Sequence, residues 1–129
     1  MTVETRTYYD AVSGEILTTL TGPADNLDDN KVGIPYLLTK GDPLTQYVDV
    51  VNEVFITRPT FGYSDRTVSV DTDTIFTGVP VGTLVIHPDG ETTVNDGQVN
   101  WQCDEAGDYT LIFQKFPCIM EIVNVTVTA

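Results

Sequence analysis

Apolar and polar residues alternate with a period of two along most of this chain, and nowhere with the period of a helix. The clearest run lies at the C-terminal end. There Ile119, Glu121, Val123, Val125 and Val127 fall on one face, and Met120, Ile122, Asn124, Thr126 and Thr128 on the other. Gln98 to Cys103 repeats the pattern, with Val99, Trp101 and Cys103 on one side. Successive strand residues point to opposite faces, so such runs predict half-buried strands. No window carries an i, i+3, i+4, i+7 apolar stripe, so no amphipathic helix is expected.

Turn residues punctuate these runs. Thr5 to Asp10 and Ile16 to Leu20 flank Asp10-Ala11-Val12-Ser13-Gly14-Glu15, which predicts a hairpin. Ala24 to Lys31 is rich in Asp and Asn and reads as a loop, with one helical turn at most near Pro23. Pro35 to Lys40 reads as a short strand. Gln46 to Val50 and Glu53 to Thr57 form a second hairpin around Val51-Asn52. Arg58 to Gly62 looks like a linker, because Pro59 cannot donate to a ladder. Beyond it, short strands are expected at 67–70, 74–76, 83–87, 91–94, 98–103, 109–113 and 119–128. Asn95-Asp96-Gly97 has the chemistry of a tight hairpin turn between 91–94 and 98–103. Short strands at this spacing predict a sandwich or barrel. The expected organisation is therefore an N-terminal β-hairpin region, residues 1–60, followed by a C-terminal β-sandwich, residues 61–129.

Composition supports the all-β reading. Thr, Val and Ile number 20, 17 and 8 of 129 residues, and β-branched side chains suit a pleated surface. The charge is −13, from six Lys plus Arg against nineteen Asp plus Glu. Such a chain is not expected to bind nucleic acid through phosphates, nor an anionic membrane. No apolar run approaches the length of a transmembrane helix, and the first residues carry no secretory pattern.

Candidate chemistry is sparse. His87 is the lone histidine and precedes Pro88-Asp89-Gly90 at a hairpin end, where an exposed polar residue is ordinary. Cys103 and Cys118 lack a C-x-x-C spacing, which argues against zinc, and they are expected to be reduced, buried and inert. Asp25, Asp28 and Asp29 share one loop, and Asp71 and Asp73 alternate. Neither stretch fits an EF-hand, so solvated acidic loops are the expectation. No catalytic residue, cofactor or metal is predicted. Tyr8 and Tyr9 are adjacent and point to opposite faces of a strand, while Phe61 and Tyr63 lie where no sheet obviously covers them. These four are the predicted partner contacts, because exposed aromatics favour interfaces. A saccharide- or receptor-binding module is the alternative. It would require a groove lined by exposed aromatics such as Trp101 or Tyr109.

Several motifs together resemble a known group. Tyr8-Tyr9-Asp10 with Ser13-Gly14-Glu15-Ile16, then Asp42-Pro43 with Tyr47-Val48-Asp49, then Arg58-Pro59, occur in this order. They are followed by Gly78-Val79-Pro80-Val81-Gly82, Gly107-Asp108-Tyr109-Thr110 and Phe116-Pro117. In this the chain resembles small virion accessory proteins encoded among the tail genes of tailed bacteriophages. The Asp/Asn-rich stretch at 25–30 departs from that pattern. The second half is also similar to the immunoglobulin-like modules that phages attach to capsids, tails and fibres. The resemblance implies a non-catalytic structural part of a virion, assembled in the host cytoplasm and docked on the tail or tail-fibre attachment region. Its partners would be other virion proteins, with a homo-oligomer, three-fold around a fibre, as a further candidate. A head decoration protein is the alternative within the same class.

Overall fold

A computed structural model describes residues 3–30 and 33–129, residues 29 and 30 by their backbone alone. The described chain is all-β apart from one short helix, and it divides into two compact units, Met1–Arg58 and Pro59–Ala129.

The first unit contains β1 (Val3–Tyr9), β2 (Ile16–Pro23), α1 (Ala24–Asn30), β3 (Tyr36–Leu37), β4 (Gln46–Asp49) and β5 (Val54–Thr57). Strands β2-β1-β3 form one antiparallel sheet and β4-β5 a separate hairpin. The first hairpin turn is built by Asp10. Its Oδ1 accepts from the Val12 and Ser13 amides at 2.8 and 2.9 Å. Gly14 follows at φ +79°, and its carbonyl accepts from the Val48 amide at 2.8 Å. A Cβ on Gly14 would lie 1.9 Å from the Val48 carbonyl oxygen, so only glycine fits this approach of turn to strand. Asp49 builds the second turn the same way, accepting from the Val51 and Asn52 amides at 3.0 and 3.1 Å. Tyr9, Ile16 and Val48 form the small core, with Leu37, Val50 and Phe55 packed on it. Thr7 accepts from the Gly41 amide at 2.9 Å and donates to the Thr39 carbonyl, which ties the 39–41 segment to β1.

Ala24 to Lys31 was expected as a loop with one helical turn at most; Ala24–Asn30 is instead helical. Lys31 lies outside the described residues. The helix brings Asp28 to Arg6 on β1. The buried guanidinium pairs with Asp28 at 2.6 Å and Glu4 at 2.8 Å, and covers the Tyr36 ring at 4.1 Å.

The second unit contains β6 (Arg66–Ser69), β7 (Thr74–Thr77), β8 (Leu84–His87), β9 (Gly90–Thr93), β10 (Gln98–Trp101), β11 (Gly107–Gln114) and β12 (Glu121–Thr128). Five strands form one sheet in the order β6-β12-β11-β8-β9, in which β6 runs parallel to β12 and the other pairs are antiparallel. A two-stranded ribbon, β7-β10, supplies the other wall. The core joins Phe76 and Trp101 of the ribbon to Val85, Leu111, Phe113, Val123, Val125 and Val127 of the sheet. Two walls around one apolar layer make a small sandwich-like arrangement, and the sheet does not close into a barrel.

The alternation in β12 appears as expected, with Val123, Val125 and Val127 buried and Ile122, Asn124 and Thr126 exposed. The expected hairpin across Asn95-Asp96-Gly97 does not form. Strand β9 pairs with β8, while β10 crosses to the other wall and pairs with β7. The reason is visible on both sides of the crossing. All four β9 residues are exposed, whereas β10 must bury Trp101 against the core. The connection is held elsewhere: the Val94 amide donates to the Thr83 carbonyl at 2.8 Å, and the Val79 amide to the Gly97 carbonyl at 3.0 Å.

Candidate functional site

Of the four predicted contact residues, Tyr8 and Tyr9 are buried in the first unit, and Phe61 and Tyr63 pack against the core of the second. Tyr8 and Tyr9 are 0% and 4% exposed. They do point to opposite faces of β1, but both faces are covered. Tyr9 joins the first unit's core, and Tyr8 packs its ring 5.5 Å from Tyr36. They are not surface contacts, because a strand flanked by two others and overlaid on each side has no open face. Phe61 and Tyr63 are half-buried against the second unit's own core. Tyr63 stands 5.1 Å from both Phe76 and Phe113, Phe61 stands 5.7 Å from Phe113, and the Tyr63 hydroxyl donates to the Thr77 carbonyl at 3.1 Å. The segment expected as a linker supplies these rings as a lid on the core.

The second unit carries a cleft of about 430 Å³ beside β10. Its polar wall is made by Asp89, Asn95, Asp96, Gln98, Asn100 and Gln102, and Val85, Val94 and Leu111 belong to its floor. The geometry follows from the crossing described above. The β8–β9 hairpin end carries His87 and Asp89, the crossing carries Asn95 and Asp96, and β10 sends Gln98 and Asn100 outward while Trp101 turns in. Asp96 Oδ1 accepts from the Gln98 amide at 3.1 Å, and Gln98 Nε2 donates to Asn100 Oδ1 at 2.8 Å. His87 Nε2 meets Thr92 Oγ1 at 2.9 Å. Two lining residues, His87 and Trp101, each bury a ring nitrogen, Nδ1 and Nε1, that has no hydrogen-bond partner in the protein.

A second hollow of about 490 Å³ shares Asp89, Trp101 and Gln102 with the first and adds Asp71, Asp104 and Glu105. Tyr109 bounds it. The Tyr109 hydroxyl donates to the Glu105 carbonyl at 3.0 Å, and its ring lies 5.3 Å from Trp101. The Cys103 thiol donates to the same carbonyl at 3.3 Å. The neighbouring Cys103 thiol, then partial burial and the acids at 104 and 105, push the Tyr109 phenol up to about 12. Trp101 is only 7% exposed, so neither hollow is the groove of open aromatics that a stacking-based saccharide module requires.

Neither cysteine is in a disulfide, and both are half-buried rather than fully buried. Among the described residues no three His, Cys, Asp or Glu side chains gather as metal ligands. Asp28 is engaged by Arg6, and the Asp29 side chain lies outside the described residues. No helix among them is long and apolar enough to cross a membrane. The sequence reading missed the amide-rich wall. Its one signal was the alternation of Gln98, Asn100 and Gln102 with Val99, Trp101 and Cys103. No protein-family model matches this chain, and no curated protein or solved structure is significantly similar to it.

Proposed function

We propose that this chain is a non-catalytic structural protein of a bacteriophage virion, assembled in the host cytoplasm, that docks on the tail or tail-fibre attachment region. The observation that carries the docking half of this reading is the apolar surface of the first unit. Leu38 and Val54 are 66% and 50% exposed and rim a shallow hollow of about 330 Å³ completed by Leu37 and Phe55. Leu17, Leu44 and Val51 are also exposed on this small unit. Apolar side chains left outside so small a core fit a surface that a larger protein covers. Leu38 and Val54 thus replace Tyr8, Tyr9, Phe61 and Tyr63 as the contact residues. The virion assignment itself rests on the ordered motifs described above.

The second unit is read with it as an immunoglobulin-like module. The support is the order β6-β12-β11-β8-β9 facing β7-β10, together with a tyrosine near the start of β11 whose hydroxyl is tied back to the chain at Glu105, the tyrosine-corner arrangement of that fold. The acidic surface keeps free subunits soluble and apart before assembly.

Cryo-electron microscopy of the intact particle tests the assignment. Density for the two units on the tail is the expected result. Density on the capsid lattice would replace tail docking with head decoration, and absence from purified particles would overturn the virion reading. Leu38→Asp with Val54→Asp is expected to leave a folded, soluble chain that no longer enters particles, as read by mass spectrometry of purified virions.

A further inference from the structure

We infer that the outer edge of β10 is a docking site for an extended, basic segment of a partner protein, which adds to the β7–β10 ribbon as a third strand. This is independent of the docking reading above, which concerns the first unit. The two walls of the second unit are unequal, five strands facing two. Among the described residues β10 pairs only with β7, so its other edge is open. Hydrogen bonds at the two ends of the ribbon identify the groups on that edge. The Gly97 carbonyl accepts from the Val79 amide at 3.0 Å, and the Cys103 carbonyl from the Asp71 amide at 2.9 Å. Backbone groups of successive strand residues point to opposite edges, so Val99 and Trp101 also bond toward β7, while Gln98 and Asn100 face outward. The β7 carbonyls agree. Those of Ile75 and Thr77, opposite Asn100 and Gln98, accept from Arg66 Nη1 at 2.9 Å and from the Tyr63 hydroxyl at 3.1 Å.

The ribbon therefore has one capped edge and one open edge. On the open edge Asp96 Oδ1 takes the Gln98 amide at 3.1 Å, which leaves the Gln98 carbonyl and the Asn100 N–H and C=O for a neighbour. A row of such groups is a template for strand addition, in which main-chain hydrogen bonds supply affinity. The edge strand β9 is a poorer template, since its Gly90, Glu91, Thr92 and Thr93 are all exposed and offer no apolar side chain to pack against. A strand added to β10 occupies the cleft of about 430 Å³ and meets half-buried Val99 on its inward side. The rim selects its charge. Asp89 and Asp96 are exposed on the cleft, and no Lys or Arg is among the described residues that line it. A strand with basic side chains outward and β-branched apolar side chains inward matches both features.

The probe is a terminally blocked heptapeptide of alternating lysine and valine, titrated at low salt into the full ¹⁵N-labelled chain. The expected result is saturable binding with a Kd of about 1 mM or tighter. In the complex the Asn100 amide should exchange with solvent at least tenfold more slowly, while the Thr92 and Thr93 amides are unchanged. The same peptide with glutamate in place of lysine should bind at least tenfold more weakly. Methylating alternate backbone amides of the peptide should abolish binding for one set and spare it for the other, because a strand held along one edge uses every second N–H. In the chain, Asn100→Pro removes the outward N–H without touching the β7 ladder and should abolish binding. If that variant does not fold, Asp89→Asn with Asp96→Asn keeps the acceptor for the Gln98 amide and should weaken binding at least fivefold. The proposal is overturned if the lysine peptide does not bind at about 5 mM, a weak-affinity ceiling for such recognition. It is equally overturned if protection falls on β9 instead of Asn100, if the glutamate peptide binds as well, or if the two methylated sets bind alike.

Discussion

Replacing Phe76 by alanine removes the side chain at the centre of the second unit. Phe76 is fully buried on β7, with Tyr63 and Phe113 packed edge-on at 5.1 Å each and the Arg66 guanidinium over its ring at 4.4 Å. Truncating a core phenylalanine costs about 3–5 kcal/mol through lost transfer energy and the cavity left behind. Each aromatic pair adds about 0.5–1.5 kcal/mol beyond area, which places this site toward the upper end, near about 4 kcal/mol. A unit of about 70 residues has a total stability of roughly 4–10 kcal/mol at typical per-residue values. Phe76→Ala is therefore expected to leave the second unit marginal or unfolded. Phe76→Leu keeps most of the volume and loses the ring contacts, for about 1.5 kcal/mol. Urea unfolding followed by the fluorescence of Trp101, the lone tryptophan and a core residue of this unit, measures both. With a slope of about 1 kcal/mol/M, the leucine variant should shift the midpoint down by about 1.5 M, and the alanine variant by at least twice that. A shift below about 1 M for Phe76→Ala at unchanged slope would refute the view that this aromatic cluster organises the unit.

Two pH dependences follow from the same structure. The Tyr109 phenol, raised to about 12 against about 10 in an unfolded chain, holds its proton more tightly when folded. Its contribution is complete below pH ~10 and is lost as pH rises toward ~12, so Tyr109→Phe should flatten the alkaline fall of the Trp101-monitored midpoint; an unchanged slope would rule this group out. In the first unit, amide donation from Ser13 and then Val12 holds the Asp10 carboxyl below its ordinary range, and donation from the Asn52 amide and side chain does the same for Asp49. Their stabilisation is present above pH ~4 and disappears as pH falls through the lowered native values, so Asp10→Asn with Asp49→Asn should flatten the acid limb of the first unit. Amide signals of β1 and β4 followed from pH 6 to 2 read this directly, and an acid limb as steep as that of the native chain would contradict it.

Local strand positions were legible in the chain, and the pairing of strands was not. Val123, Val125 and Val127 announce their buried face because β12 is covered on one side only. Tyr8 and Tyr9 misled for the complementary reason. Adjacent residues do face opposite ways, but β1 is covered on both sides, so both rings are inside. Phe61 and Tyr63 looked uncovered because the strands that receive them, β7 and β11, lie more than ten residues away in sequence. Asp96-Gly97 looked like a hairpin turn because turn chemistry reports a reversal and not the neighbour chosen after it. The cleft exists only because β10 leaves β9 for β7, so its wall of Asn95, Gln98 and Asn100 had no counterpart in the one-dimensional pattern.

The all-β class and the turns at Asp10–Gly14, Asp49–Asn52 and Asp89–Gly90 were readable in the chain, since β-branched content, period-two alternation and turn residues act within a few positions, with the Asp10 and Asp49 carboxylates capping the first two turns. That β6 lies beside β12, that β10 pairs with β7, and that Asn95, Gln98 and Asn100 come to line one cleft was settled by the packing of distant segments. Alternation states which face of a strand must be covered. Which distant segment covers it depends on the whole set of apolar faces being buried together.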